Sequence, residues 1–231
     1  MRLAVTIATY QRKDGRTKNF LKRTLNSIKS QKHQDYKVFL IGDKYEDHQE
    51  FLEISTSILD PSKIYYENLS FAFERDKYSD PEQLWSSGGV YSTNYGIEKA
   101  LSEGFEWVCH IDHDDVWQEN HLSNFSNFIE SNNSDFVFLA SRCNYLGKYL
   151  VPLGSSPGIF YPTPSDLVHS SVSVNFSKIP LRYRDVYEET GRIYPSDADL
   201  WERITSYLKE NNLFAYLMGE TTIIYDKVEK T

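Results

Sequence analysis

Short apolar runs alternate with amphipathic stretches through the first half of the chain, and their spacing predicts strand, helix, strand. Leu3 to Ala8 is apolar and rich in β-branched residues and ends at the polar Thr9-Tyr10-Gln11-Arg12, so it reads as a buried strand running into a loop. Phe20, Leu21, Leu25 and Ile28 then share one helical face, with Lys22, Arg23 and Lys29 elsewhere. Val38-Phe39-Leu40-Ile41 is a second strand, stopped by Gly42-Asp43, and Ile64-Tyr65-Tyr66 a third. This order points to a parallel sheet covered by helices.

Ser70 to Ser87 breaks the rhythm. It is charged, aromatic and interrupted by Pro81, without a clear period, and is expected to be a long functional loop. Gly88-Gly89 then opens a helix with Val90, Asn94, Ile97 and Leu101 on one face and Gly104 as its closing cap. Trp107 to Ile111 predicts a central strand that runs directly into Asp112-His113-Asp114-Asp115. The second half is less regular. Phe136 to Ala140 is a strand, Val151 to Pro164 a turn-rich connection with four of the eight prolines, and Val172 to Phe176 alternates as a half-exposed strand would. Ala198, Trp201, Ile204 and Leu208 mark an amphipathic helix preceded by Ser196-Asp197, and Phe214 to Tyr225 supplies one or two closing strands. The expectation is a single α/β domain over residues 1–231, in which a Rossmann-like half, 1–115, merges into an irregular, antiparallel-leaning half, 116–231.

Composition narrows the function. With 231 residues, 40% of them hydrophobic, the chain can bury a sizeable core and is not intrinsically disordered. The formal charge of 25 − 33 = −8 lacks the basic footprint of a phosphate-backbone binder, which argues against nucleic acid as a partner. Cys109 and Cys143 each sit in an apolar run and read as buried free thiols. No stretch reaches the roughly 18 apolar residues of a membrane span, and the first apolar run is too short for a signal peptide. A reduced, cytoplasmic setting is expected.

The strongest chemical signal is the acidic run after Ile111. Open α/β sheets bind ligands beyond the carboxyl ends of their strands. Three carboxylates within four residues repel one another unless something positive neutralises them, and a divalent cation is the economical answer. Mg²⁺ or Mn²⁺ takes hard oxygen ligands, commonly one or two carboxylates plus substrate phosphates. On an extended segment Asp112 and Asp114 would point the same way, with Asp115 as a further ligand. The plain alternative is a solvated turn that caps a helix starting near Trp117. His169 could approach the metal or the diphosphate from the second half, although a lone histidine is more often structural.

Val5-Thr6-Ile7-Ala8-Thr9-Tyr10-Gln11-Arg12, Phe39-Leu40-Ile41-Gly42-Asp43, Asn94-Tyr95-Gly96-Ile97 and His110-Ile111-Asp112-His113-Asp114-Asp115 together resemble the family 2 glycosyltransferases. Ser196-Asp197-Ala198-Asp199-Leu200-Trp201-Glu202-Arg203 resembles the same family's acidic segment before an apolar helix. The resemblance implies a GT-A fold, with a mixed but mainly parallel central sheet flanked by helices. It also implies a nucleotide-sugar donor, expected to be a UDP-sugar, and Mn²⁺ or Mg²⁺. The acceptor would be a glycan or a lipid-linked hydroxyl, the latter met by peripheral association with a membrane. Thr9 and Tyr10 match positions bordering the nucleobase, Asp43 the acid that accepts the uracil N3–H, and Asn94 a contact to the donor sugar or ribose. Arg12 would face the diphosphate, which Asp112 also meets through the metal. Asp197 matches the general base that takes the acceptor's proton in an inverting displacement, with Asp199 as the alternative base. Two departures stand out: Lys44-Tyr45 follows Asp43 where the family has Gly-Ser, and Ser196 replaces the acid before Asp197.

Other chemistries fit less well. A haloacid-dehalogenase-type phosphohydrolase needs an aspartyl nucleophile after the first strand, where Thr9-Tyr10 stands instead. A sugar nucleotidyltransferase needs a Gly-rich phosphate loop, and Gln11-Arg12-Lys13-Asp14-Gly15 is a poor one. An inactive carbohydrate-binding module of the same fold is the non-enzymatic alternative.

Overall fold

A β-strand, β1 (Leu3–Thr9), leads into helix α1 (Thr17–Lys29), β2 (Tyr36–Gly42), α2 (His48–Ser57) and β3 (Ile64–Asn68). Two short helices follow, α3 (Phe73–Lys77) and α4 (Pro81–Ser87), then α5 (Val90–Ser102) and β4 (Trp107–His110). The rest comprises β5 (Val116–Trp117), α6 (His121–Ser131), β6 (Phe136–Tyr145), β7 (Tyr149–Val151), β8 (Gly158–Phe160), β9 (Val172–Asn175), α7 (Val186–Thr190), α8 (Ser196–Asn211) and β10 (Phe214–Tyr225). This computed structural model describes residues 1–132, 134–152, 156–164 and 167–225.

One sheet runs through the molecule in the order β3-β2-β1-β4-β9-β6-β10-β5, with β7 beside β6 and β8 beside β10. β3, β2, β1 and β4 are parallel, β9 is antiparallel to both β4 and β6, and β6 pairs in parallel with β10. Helices cover both faces, so β1 alternates between two cores rather than between core and water. Leu3, Val5 and Ile7 pack with Leu21, Leu25, Phe51 and Phe125, while Ala4 faces Ile97, Phe138, Trp201 and Ile204. The ends of β1, β2 and β4 therefore open along one edge. Gly42 is required there, because a Cβ on it would lie 2.5 Å from Asn68 Oδ1. Gly89 starts α5 at φ 79°, a conformation an L side chain rarely adopts. Among the described residues no helix is long and apolar enough to cross a membrane.

Several expectations need correction. Val172–Asn175 is buried at every position instead of half-exposed, because β9 lies inside the sheet and its polar Ser173 is met by the Cys109 thiol at 3.3 Å. The segment read as an irregular loop folds into α3 and α4. The helix beyond the acidic run starts at His121, and Trp117 belongs to β5. α8 begins at Ser196 behind Pro195, so Asp197 lies inside the first turn rather than capping it. Phe214–Tyr225 is a single strand, and the Val151–Pro164 connection contains β8, although its residues 153–155 lie outside the described residues. Cys109 and Cys143 are buried free thiols.

Candidate active site

Asp112 to Asp115 leave β4 as a tight turn closed by the Asp115 N–H on the Asp112 carbonyl at 3.1 Å. Three elements hold that turn. From α1, Thr24 Oγ1 donates to the carbonyls of His113 (2.9 Å) and Asp115 (2.7 Å), and Arg23 Nη2 to that of Asp114 (2.6 Å). From the second half, Ser170 Oγ accepts the Asp112 N–H at 2.9 Å and donates to Asp115 Oδ2 at 2.5 Å. Trp117 Nε1 anchors Ser170 in turn by bonding its carbonyl at 2.8 Å.

Because the segment turns, its acids do not share one direction as an extended strand would have them do. Asp114 is nearly buried, with Oδ2 3.7 Å from Arg12 Nη1. Asp115 is wholly buried, and its Oδ2 takes the Ser170 hydroxyl, which supports the turn. Asp112 is the accessible acid, its side chain 36% exposed, and its Oδ1 accepts from His169 Nδ1 at 2.9 Å. His169 Nε2 lies 3.0 Å from the Tyr183 hydroxyl, so both ring nitrogens have protein partners and the ring bridges Asp112 and Tyr183. Burial works against a charge on His169, but the carboxylate of Asp112, with Asp197 and Asp115 beyond it, outweighs burial and raises its pKa. Beneath it His110 stacks at 4.9 Å and is held neutral by burial, its Nδ1 2.9 Å from Thr6 Oγ1.

Asn94 clamps the Tyr183 backbone. Its Nδ2 donates to the Tyr183 carbonyl at 2.8 Å and its Oδ1 accepts the Tyr183 N–H at 3.1 Å. The clamp sets Tyr183, and through it His169.

The two acids of α8 separate cleanly. Asp197 is partly buried, and burial raises its pKa despite the positive field of His169 and the Ala198 N–H on Oδ1 at 2.8 Å. Asp199 is gripped by Arg184 (2.6 and 2.9 Å) and by Arg203 (2.7 Å). Burial alone would push Asp199 up, but those bonds outweigh it and its pKa is lowered. A carboxylate so neutralised is the less basic of the two acids. The cavity of about 280 Å³ nearby is lined by Arg184, Arg203 and Asp199 and belongs to this ion-pair cluster.

At the other end, the Asp43 N–H bonds the Thr9 carbonyl at 2.7 Å, which ties the tips of β2 and β1. Thr9 is buried, and its Oγ1 has no hydrogen bond. Asp43 Oδ2 accepts from Arg75 Nε at 2.9 Å, while its buried Oδ1 also has no hydrogen bond. Burial raises the Asp43 pKa and Arg75 partly offsets the rise. Arg75 also binds Glu46 Oε1 (3.0 Å) and the carbonyls of Asp43 and Lys44. Its guanidinium lies 5.1 Å from the centre of the half-exposed Tyr10 ring. Sequence reading missed Arg75, Ser170 and Tyr183. Only the arginine had a signal, as a cation in the aromatic segment before α4.

For a divalent cation the donor set is hard oxygen, with Asp112 open to the cleft and Asp114 beside Arg12. Among the described residues, however, no three His, Cys, Asp or Glu side chains are grouped to hold a metal ion.

No family model matches the chain. It is 32% identical over 237 residues to the uncharacterized glycosyltransferase R139 of Acanthamoeba polyphaga mimivirus, covering 98% of this chain and 94% of that protein. Among solved structures it superposes on S. aureus TarS 1-349 with a TM-score of 0.67 at 15% identity, over 97% of this chain and 60% of TarS 1-349. The complex of TarS 1-349 with UDP-GlcNAc gives 0.69 at 15% identity over 100% of this chain and 60% of that one. The chain thus has the TarS fold, a curled, mostly parallel sheet flanked by helices, and spans 60% of the length of those structures.

Proposed function

The chain belongs to the glycosyltransferases, and from that premise we propose that it moves a sugar from a UDP-linked donor to an acceptor hydroxyl by inverting displacement, in the manner of family 2 enzymes of GT-A type. The observation that carries the reading is the Asp43–Arg75 pair, which leaves one buried carboxylate oxygen without a donor beside an aromatic ring. Uracil offers an imide N–H for Asp43 Oδ1, flanked by carbonyls, one of which suits the single Nη1 N–H that Arg75 has left. Guanine would want both carboxylate oxygens, and Arg75 already occupies one. Tyr10 offers a face for the base. TarS 1-349, with the same fold, has been crystallised with UDP-GlcNAc, which supports the choice of donor.

The diphosphate then lies between Arg12 and the acidic turn. Mn²⁺ or Mg²⁺ would be held there by Asp112 and Asp114 with phosphate oxygens, and would offset the charge gathering on the departing UDP. Asp197 removes the acceptor proton. Its raised pKa gives it the basicity an ordinary aspartate lacks. The acceptor is a glycan or lipid-linked hydroxyl, the latter reached by docking at a membrane surface.

Calorimetry with UDP and GDP, with and without Mn²⁺, tests this. UDP should bind at least tenfold more tightly than GDP and lose affinity on chelation, and Asp112→Asn should remove the metal dependence. Asp197→Asn should keep UDP affinity and abolish transfer. Equal binding of GDP, or full activity in Asp197→Asn, would sink the proposal.

A further inference from the structure

Three of the four tryptophans are interior: Trp107, Trp117 and Trp201 are 3%, 2% and 0% exposed. Trp85, on α4, is 69% exposed. An indole left in water costs hydrophobic free energy, and α4 flanks it with the half-buried Leu84 and with the polar Glu82, Gln83, Ser86 and Ser87.

The helix that carries it is nonetheless firmly mounted. Asp80 caps it by accepting the N–H groups of Glu82 (2.9 Å) and Gln83 (3.1 Å). The Ser86 carbonyl accepts from Ser196 Oγ at 2.7 Å, and Ser87 Oγ donates to Asp185 Oδ1 at 2.9 Å. Asp185 also takes the Tyr78 hydroxyl at 2.7 Å and Lys77 Nζ at 3.2 Å, and caps α7 through the Glu188 N–H at 3.1 Å. Trp85 is exposed, then, on an element pinned at both ends. One of those pins is Ser196, the residue directly before Asp197.

From this placement we propose that Trp85 is the acceptor platform: its indole stacks on the apolar face of a pyranose ring of a glycan acceptor and steadies the chain beside Asp197. A pyranose has one largely C–H face and a polar rim, which matches a single exposed aromatic ring with Glu82, Gln83 and Ser86 close by in sequence. The inference rests on the glycosyltransferase reading of Asp197 and names the class of acceptor for it.

Since the other tryptophans are buried, the fraction of fluorescence that acrylamide quenches reports Trp85. The probes are chitotetraose, cellotetraose and maltotetraose, each added to protein saturated with UDP and Mn²⁺. At least one should shield Trp85 from acrylamide. By saturation-transfer NMR, Trp85→Ala should weaken that oligosaccharide roughly fivefold to tenfold and Trp85→Phe by less, with UDP affinity unchanged in both. Failure of all three to shield the indole, or equal affinity in Trp85→Ala, overturns the platform. Failure of UDP to bind the unaltered protein overturns the reading beneath it instead.

Discussion

Asp197 and Asp199 sit two residues apart at the start of α8, about 200° apart around its axis. In the sequence they are equivalent acids. What separates them is Arg184 from the loop before α7 and Arg203 one turn along α8, and neither contact is written in local spacing alone. Replacing Asp199 by Asn leaves two guanidinium groups without their shared charge. Both are partly exposed, so solvent moderates the loss, and the expected cost is about 1–3 kcal/mol in urea unfolding. The folded pKa of Asp199 lies below its unfolded value. Its stabilisation is therefore present above roughly pH 4 and lost as pH falls through the folded pKa, so Asp199→Asn should lose part of the acid sensitivity seen in the unaltered protein. An unchanged midpoint would show the cluster to be ornamental.

The elements most misread were those whose polarity hides burial. β9 looked half-exposed because Ser173 and Asn175 interrupt its valines, yet their polar groups are satisfied inside the fold. α3 and α4 looked like loop because each is too short to show a period, although Asp80-Pro81 was a legible start. By contrast the strands of the parallel half and the face of α8 were plain in the sequence, since continuous apolar runs and a 3.6-residue stripe survive any local detail. α3 holds a further consequence. Glu74 is 1% exposed, accepts the Tyr91 N–H on Oε1 at 2.8 Å and has no hydrogen bond on Oε2. Burial lifts its pKa from 4.5 to about 7; the Tyr91 N–H opposes this, and the charges of Asp43 and Asp185 add to it. A carboxyl with a folded pKa above its unfolded one stabilises fully at low pH, and that contribution is lost as pH rises towards 7 and beyond. Since Arg75 is the next residue, the exchange protection of α3, corrected for the base-catalysed intrinsic rate, should fall as pH rises from about 5 to about 7. Glu74→Gln should flatten that dependence. Protection that does not change with pH in the unaltered protein would rule the effect out.

At the scale of the whole molecule a parallel first part and a mixed second part share one sheet. β4 pairs with β1 on one side and β9 on the other, so the strand that delivers the acidic turn is also where the two parts meet. The two helical layers bury their side chains against opposite faces of the same strands, as Ala4 and Val5 show by lying in different cores. Neither layer can then lose its core without exposing the sheet that backs the other. Leu25 and Ile204 are wholly buried on opposite faces, and truncating either to Ala should cost about 2–5 kcal/mol. Trp117 lies in the core of the first face and Trp201 in that of the second, so variants in which one of them is the sole tryptophan, the others replaced by Phe, report the faces separately. If the sheet couples them, Leu25→Ala lowers the urea midpoint seen by Trp201 as far as that seen by Trp117, and Ile204→Ala does the converse. Two transitions that move independently would instead make the two helical layers separate folding units, with the sheet between them too weak to bind their fates.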